Sequence, residues 1–191
     1  MQLTTREIVL AALFTSIVCV LTILVRVLQP LTGPVPFSLQ PLVVMVAACI
    51  LPARAAFLSM LAYLLMGLIG IPVFSAPPYG GPAYVLIPTF GFLLAYPFQA
   101  WVQAKLIRRV SLVQFIFSGI IGVIVMYLIG LPYLYGILNF YLDNTYNLMT
   151  ILKIGFLPFI IFDIIKVVVA SFLALEICRR LDIKRGEIPA I

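Results

Sequence analysis

The chain has 191 residues, 64% of them apolar and only 9% charged, with a formal charge of +6 and no histidine. A soluble domain carries about 25% charged residues, so this is the composition of an integral membrane protein, and it leaves no room for a water-soluble catalytic unit or an ATPase. The basic residues gather at the ends of apolar stretches, so the positive charge reads as membrane topology and not as a nucleic-acid surface.

At about 20 residues per crossing, the apolar stretches accommodate six transmembrane helices, an all-α membrane fold in a single domain over residues 1–191. Span 1 is expected over residues 8–28. Its apolar run to Val25 is longer than the 7–15 residues of a signal-peptide core, so it is read as the first helix of the bundle. Ala11 with Thr15, and Ala12 with Ser16, place small residues at i and i+4. That spacing lets another helix approach closely, either from within the protein or from a second membrane subunit. Arg26, near the end of the span, is expected to snorkel to the membrane interface.

A Pro/Gly-rich loop follows, through Gly33-Pro34-Val35-Pro36-Phe37-Ser38-Leu39-Gln40-Pro41, whose prolines prescribe a stiff extended path. Span 2 is expected over 42–51 and span 3 over 55–69, joined by the turn Pro52-Ala53-Arg54. A second, uncharged loop occupies 70–82. Span 4 is expected over 83–104 and is closed by Lys105, Arg108 and Arg109; span 5 covers 113–134, with an apolar continuation toward 140. A polar loop with Asp143, Asn144 and Asn147 leads to span 6 over 156–178, with Glu176 pairing to Arg179 and Arg180 at its inner boundary.

With both termini in the cytoplasm, the inner ends hold Arg6, Arg54, Lys105, Arg108, Arg109, Arg179, Arg180, Lys184 and Arg185, and the outer ends only Arg26 and Lys153. Nine basic residues against two orient the bundle by the positive-inside rule. Both Pro/Gly-rich loops then lie outside the membrane.

Inside span 6 stand two ionisable residues, Asp163 and Lys166, in an otherwise apolar run. Charge at mid-bilayer costs roughly 2.5–3.5 kcal/mol per residue on insertion scales, and its usual justification is a partner, a cavity or a ligand. At i and i+3 the two side chains share one helix face, one an acceptor and the other a cationic donor. A small ligand with both N–H and C=O groups suits that pair; a neutralising structural ion pair is the alternative. Asp163 lies about 10 Å in from the outer side. The ring side chains Phe37, Phe74, Tyr79 and Tyr84 on the two outer loops suit a lid over a largely apolar ligand, with plain helix connection as the alternative.

Cys19, Cys49 and Cys178 are isolated in apolar stretches and read as small buried hydrophobes. No metal site and no catalytic residues are expected: histidine, paired carboxylates and ligand clusters are all missing from the sequence.

The whole chain resembles the BioY family, the biotin-specific substrate-binding (S) component of energy-coupling-factor (ECF) transporters. Four blocks carry the likeness in order. They are Pro34-Val35-Pro36-Phe37-Ser38-Leu39-Gln40-Pro41; Gly67-Leu68-Ile69-Gly70-Ile71-Pro72-Val73-Phe74; the stretch from Gly80-Gly81-Pro82-Ala83-Tyr84 through Pro88-Thr89-Phe90-Gly91-Phe92; and Leu157-Pro158-Phe159 with Asp163 and Lys166. Ser38 stands where the family commonly has Thr, and Ser16 where a second docking Ala would be expected.

The resemblance implies a six-helix S component of the bacterial cytoplasmic membrane that captures biotin as transported substrate, without a cofactor and without catalysis of its own. It implies as partners a membrane T component and two ATP-binding cassette subunits. The implied substrate-binding set is Asp163, Lys166, Phe37, Gln40, Phe74, Tyr84 and Thr89, with Ala11, Ala12, Thr15 and Ser16 docking the T component. Biotin's ureido ring offers N–H groups to Asp163 and a C=O to Lys166, although Lys166 meeting the carboxylate is equally open. The competing readings are an S component for another vitamin, biotin movement without the ATPases, and a small membrane-embedded enzyme.

Overall fold

The computed structural model describes residues 4–32, 38–143 and 145–181, and among them every regular element is helical. Helix α1 covers Thr5–Thr32, α2 Gln40–Ile50, α3 Ala53–Ile69, α4 Phe90–Leu106, α5 Leu112–Gly136, α6 Leu148–Gly155 and α7 Leu157–Arg180. In hydrocarbon each backbone N–H and C=O must find its partner within the chain, and helices do this locally. At the start of α1, Thr4 and Glu7 form a reciprocal capping box: Glu7 Oε2 accepts from Thr4 N at 2.8 Å and Thr4 Oγ1 from Glu7 N at 3.3 Å.

The bundle is built around α2. Ten of its eleven residues are buried, so it is apolar all round in the manner of an interior helix. It packs against α7, α4 and α1. Eleven residues rise only about 16 Å, roughly half the thickness of a bilayer's hydrocarbon core. By contrast α1, α5 with its continuation to Tyr141, and α7 are each long and apolar enough to cross a membrane, through Thr5–Leu28, Leu112–Tyr141 and Leu157–Arg180. Their outward faces remain greasy: Val9, Val20 and Val27 on α1, Leu128 on α5 and Ile161 on α7 are all more than half exposed. A soluble protein would cover such a belt; here it matches lipid.

Several expected boundaries move. Residues 83–89 do not begin span 4. Pro82–Leu86 forms a 3-10 turn and α4 starts only at Phe90. The loop after span 5 contains the short helix α6, capped by Asn147, whose side-chain oxygen accepts from Thr150 N at 2.8 Å. The expected boundary pairing on α7 is present as Arg180 Nε–Glu176 Oε1 at 2.9 Å. All three cysteines are buried and form no disulfide.

The loop between α3 and α4 is pinned and not draped over the bundle. Gly70 ends α3 at φ +114°, a left-handed conformation that only glycine adopts at little cost. Gly81 N then donates to Gly67 O at 2.7 Å and Phe74 N to Tyr79 O at 2.8 Å. Phe74 is fully buried, with its ring centroid 4.4 Å from that of Tyr84 and 5.7 Å from that of Tyr63. A Cβ on Gly67 would overlap the Phe74 ring, so this glycine makes the socket the ring fills. Phe74 and Tyr84, expected in a lid, are core residues, because an apolar ring carried into the bundle gains more from burial than from capping a cavity. Replacing Phe74 with Ala should therefore destabilise the fold by about 3–5 kcal/mol. Thermal unfolding of the purified protein in detergent would show a large drop for Phe74→Ala and a smaller one for Phe74→Leu.

Candidate ligand-binding site

Where α2 stops short, a cavity of about 490 Å3 opens. Ser38, Leu39, Gln40 and Pro41 at the start of α2 line it, together with the C-terminal part of α1, the start of α4, the last turns of α5, the α6–α7 junction and Asp163 and Lys166 of α7. That size lies within the range of small-molecule sites. Val25, Phe92, Leu93, Met126, Leu134 and Phe159 supply an apolar wall. The polar groups fall into two clusters.

The first is the charged pair. Lys166 Nζ donates to Asp163 Oδ1 at 2.9 Å, and Tyr127 OH donates to Asp163 Oδ2 at 2.5 Å. Asp163 is 3% exposed and Lys166 9%, so the trio is withdrawn from bulk solvent yet faces the cavity. Tyr127 is held by edge contacts with Phe92 and Phe156, at 5.9 and 4.9 Å between ring centroids. Each carboxylate oxygen keeps a lone pair beyond the bond it makes, and the ammonium keeps two N–H bonds. The trio can thus both accept from and donate to one polar ligand head.

The second cluster centres on Gln40, 3% exposed at the first position of α2. Its Nε2 donates to Tyr63 OH at 2.7 Å and to Thr22 Oγ1 at 3.0 Å; its Oε1 accepts from Ser38 Oγ at 3.0 Å and Tyr96 OH at 3.3 Å. Two donors and two acceptors are all answered, so the amide is locked in one orientation and ties α1, α2, α3 and α4 together. Gln40 is thereby a rigid wall of the cavity, with its own hydrogen bonds already made.

Of the residues singled out in the sequence, Asp163, Lys166, Gln40 and Thr89 line the cavity. Phe74 and Tyr84 stand behind it in the aromatic core, and Phe37 lies outside the described residues. The span 1 stripe divides in two. Ala11 and Thr15 are buried against α3, with Thr15 Oγ1 donating to Ser59 O at 2.9 Å and Ser59 Oγ to Ala11 O at 2.8 Å. That half serves internal packing. Ala12 and Ser16 face outward.

Tyr127, Tyr96, Thr22 and Arg26 also line the cavity and were not read from the sequence as site residues. Single tyrosines in aliphatic spans, far from Asp163 in the chain, were the available signal. Arg26, expected to snorkel to the membrane interface, donates from Nη1 to Pro72 O of the α3–α4 loop at 3.0 Å.

An apolar-belted helical bundle with a small-molecule-sized cavity, walled by greasy side chains and carrying an ion pair, defines a membrane protein built to hold a small ligand. The chain belongs to the BioY family, whose sequence profile matches residues 1–183. It is 36% identical to a probable biotin transporter BioY of Lysinibacillus sphaericus, across 91% of this chain and 87% of that protein. It is 34% identical to the biotin transporter BioY of Thermotoga maritima, across 94% of this chain and 99% of that one. Its fold is similar to the crystal structure of the S component for biotin from an ECF-type ABC transporter, with a TM-score of 0.65 at 22% identity, covering 93% of this chain and 95% of the other.

Tyr127→Phe removes one hydrogen bond to a buried carboxylate and nothing of the ring packing. It should lower stability by about 1–3 kcal/mol, read as a reduced unfolding temperature in detergent, with Tyr127→Leu falling further because the contacts with Phe92 and Phe156 go too.

Proposed function

We propose that this protein captures biotin outside the cell as the S component of an ECF-type ABC transporter in the bacterial cytoplasmic membrane. The observation that carries the reading is the Tyr127–Asp163–Lys166 trio facing a 490 Å3 cavity. A ureido ring presents N–H donors and a carbonyl acceptor within one small rigid head, and the trio offers the complementary acceptor and donor. The thiolane ring and valeryl chain suit the wall of Val25, Phe92, Leu93, Met126 and Phe159. Membership of the BioY family, with relatives named as biotin transporters, supports the same ligand.

Helices α1 to α5 and α7 act as six spans, with α6 as a short outer helix. The cavity lies at the end of the bundle opposite Arg6, Arg54, Lys105, Arg108 and Arg179. With that basic end in the cytoplasm, as the positive-inside rule requires, the cavity opens outward. Transport is powered by a membrane T component with two ATP-binding cassette subunits. The outward half of the α1 stripe, Ala12 and Ser16, is the face left for docking, since Ala11 and Thr15 are spent on α3.

Biotin titration of the purified protein tests the core of the reading. Wild type should bind, whereas Asp163→Leu with Lys166→Met should fold and lose binding. Deleting both charges together avoids the roughly 3–5 kcal/mol penalty of a lone buried charge. Full affinity in that double variant would place the ligand elsewhere and leave the pair a structural one. A separate expectation concerns coupling: Ala12→Leu with Ser16→Leu should retain biotin binding and abolish biotin uptake in cells that supply the T component and ATPases. Unimpaired uptake would remove this face from docking.

A further inference from the structure

Among the described residues that line the cavity, three are charged: Arg26, Asp163 and Lys166. Asp163 and Lys166 neutralise one another at 2.9 Å. Arg26 has no carboxylate within ion-pairing distance among the described residues. Its recorded partners are neutral: the Pro72 carbonyl at 3.0 Å, the Phe74 carbonyl at 3.5 Å, and the face of the Tyr79 ring, whose centroid lies 4.3 Å from the guanidinium carbon. The cavity thus carries a net positive charge located on Arg26.

Position matters as much as charge. Asp163 and Lys166 are buried, while Arg26 is half-buried and meets the loop carbonyl of Phe74, next in the chain to the exposed lining residue Ser75. The ion pair is therefore the more enclosed part of the lining and Arg26 a more open one. The tyrosine under the guanidinium sits at φ +68°, a left-handed conformation that is strained for a non-glycine residue. It is held there by Tyr79 N donating to Ala76 O at 2.7 Å and Phe74 N donating to Tyr79 O at 2.8 Å. The loop spends strain to present a ring face to Arg26, and strain of this kind gathers at ligand clamps.

We propose that Arg26 is the receptor for the ligand's carboxylate, holding it at the cavity mouth between the end of α1 and the α3–α4 loop. The inference rests on the biotin reading and assigns the direction in which biotin enters. Biotin has one carboxylate, at the far end of a flexible chain from the ureido head. Next to Asp163 that carboxylate meets a like charge, and the charge of Lys166 is already neutralised by Asp163. At Arg26 it meets an uncompensated guanidinium with a fork geometry suited to carboxylate. The ureido head then takes the more enclosed part at the ion pair.

The test compares biotin with its uncharged methyl ester, each titrated into purified wild type, Arg26→Gln and Arg26→Lys. Wild type should prefer biotin to the ester by about 10- to 100-fold, the worth of a charge-assisted hydrogen bond. Arg26→Gln should weaken biotin by that factor and leave the ester unchanged, abolishing the preference. Arg26→Lys, which keeps the charge without the planar fork, should retain part of it. If Arg26→Gln keeps the wild-type preference, the carboxylate binds elsewhere and the proposal fails while the biotin reading stands. If Arg26→Gln weakens both ligands equally, Arg26 only braces the loop, and the proposal fails again. Should wild type bind neither compound, the biotin reading falls and takes this proposal with it.

Discussion

A polar side chain carried into hydrocarbon must bring its partners with it, and most of this structure follows from how that demand is met. Gln40 enters with four hydrogen-bond partners drawn from four segments of the chain. Asp163 enters with a cation on its own helix and a phenol from α5. Thr15 and Ser59 answer one another and the α1 backbone across the α1–α3 contact. Each set crosslinks helices that apolar packing alone would let slide, because dispersion between greasy faces has little directional preference. Gln99 and the Oε1 atom of Gln103 are exceptions among the described residues. Gln99 is fully buried on α4, and its amide has no hydrogen-bond partner among the described residues.

The cavity exists because one helix is too short. An α2 of full length would fill the centre of the bundle from end to end; instead its eleven residues fill half, and Ser38 to Pro41 become a floor. Longer neighbours keep the walls standing beyond it. Closing the bundle at that level is left to the loop after α3, whose Phe74 plugs into the Gly67 socket and whose Tyr79 turns toward Arg26. The fold thereby separates two tasks along one loop: apolar anchoring through Phe74 and polar contact at the mouth through Tyr79 and the loop carbonyls.

The same division of labour appears in the charges. A buried ion pair with a hydrogen-bonding tyrosine is electrically quiet, so it can sit in low dielectric and still present directional donors and acceptors. The cation that remains uncompensated stands where the cavity meets solvent, where holding a lone charge costs least. A ligand that is polar at one end, apolar in the middle and anionic at the other matches that order of surfaces. On α1, small residues similarly serve two ends: Ala11 and Thr15 allow the close approach of α3, while Ala12 and Ser16, a residue further round each time, stay on the outside.

Composition alone determines that this chain lives in a membrane, and the cost of intramembrane charge singles out Asp163 and Lys166, because those energies depend on residue type and on sequence-local surroundings. Helix cores were legible for the same reason, and motif likeness brought Gln40 and Thr89 to attention along with the family. The partners of these residues were not legible. Tyr127 is 36 residues from Asp163, and Tyr63 is 23 from Gln40. Nothing in local periodicity couples positions so far apart. For Phe74 and Tyr84 a lid and a plain connection both stood open, because loop composition does not say whether an aromatic ring points in or out; for Phe74 the glycine socket on α3 decides it. The contacts of Arg26 were not legible for a related reason: only the packed loop supplies the carbonyls and ring that its guanidinium meets. The sequence determined the solvent, the apolar helix cores and the charged pair; the tertiary structure decided which of the two α1 stripes was free, where the cavity lay and what surrounded it, because those depend on contacts between segments that meet only once the bundle has closed.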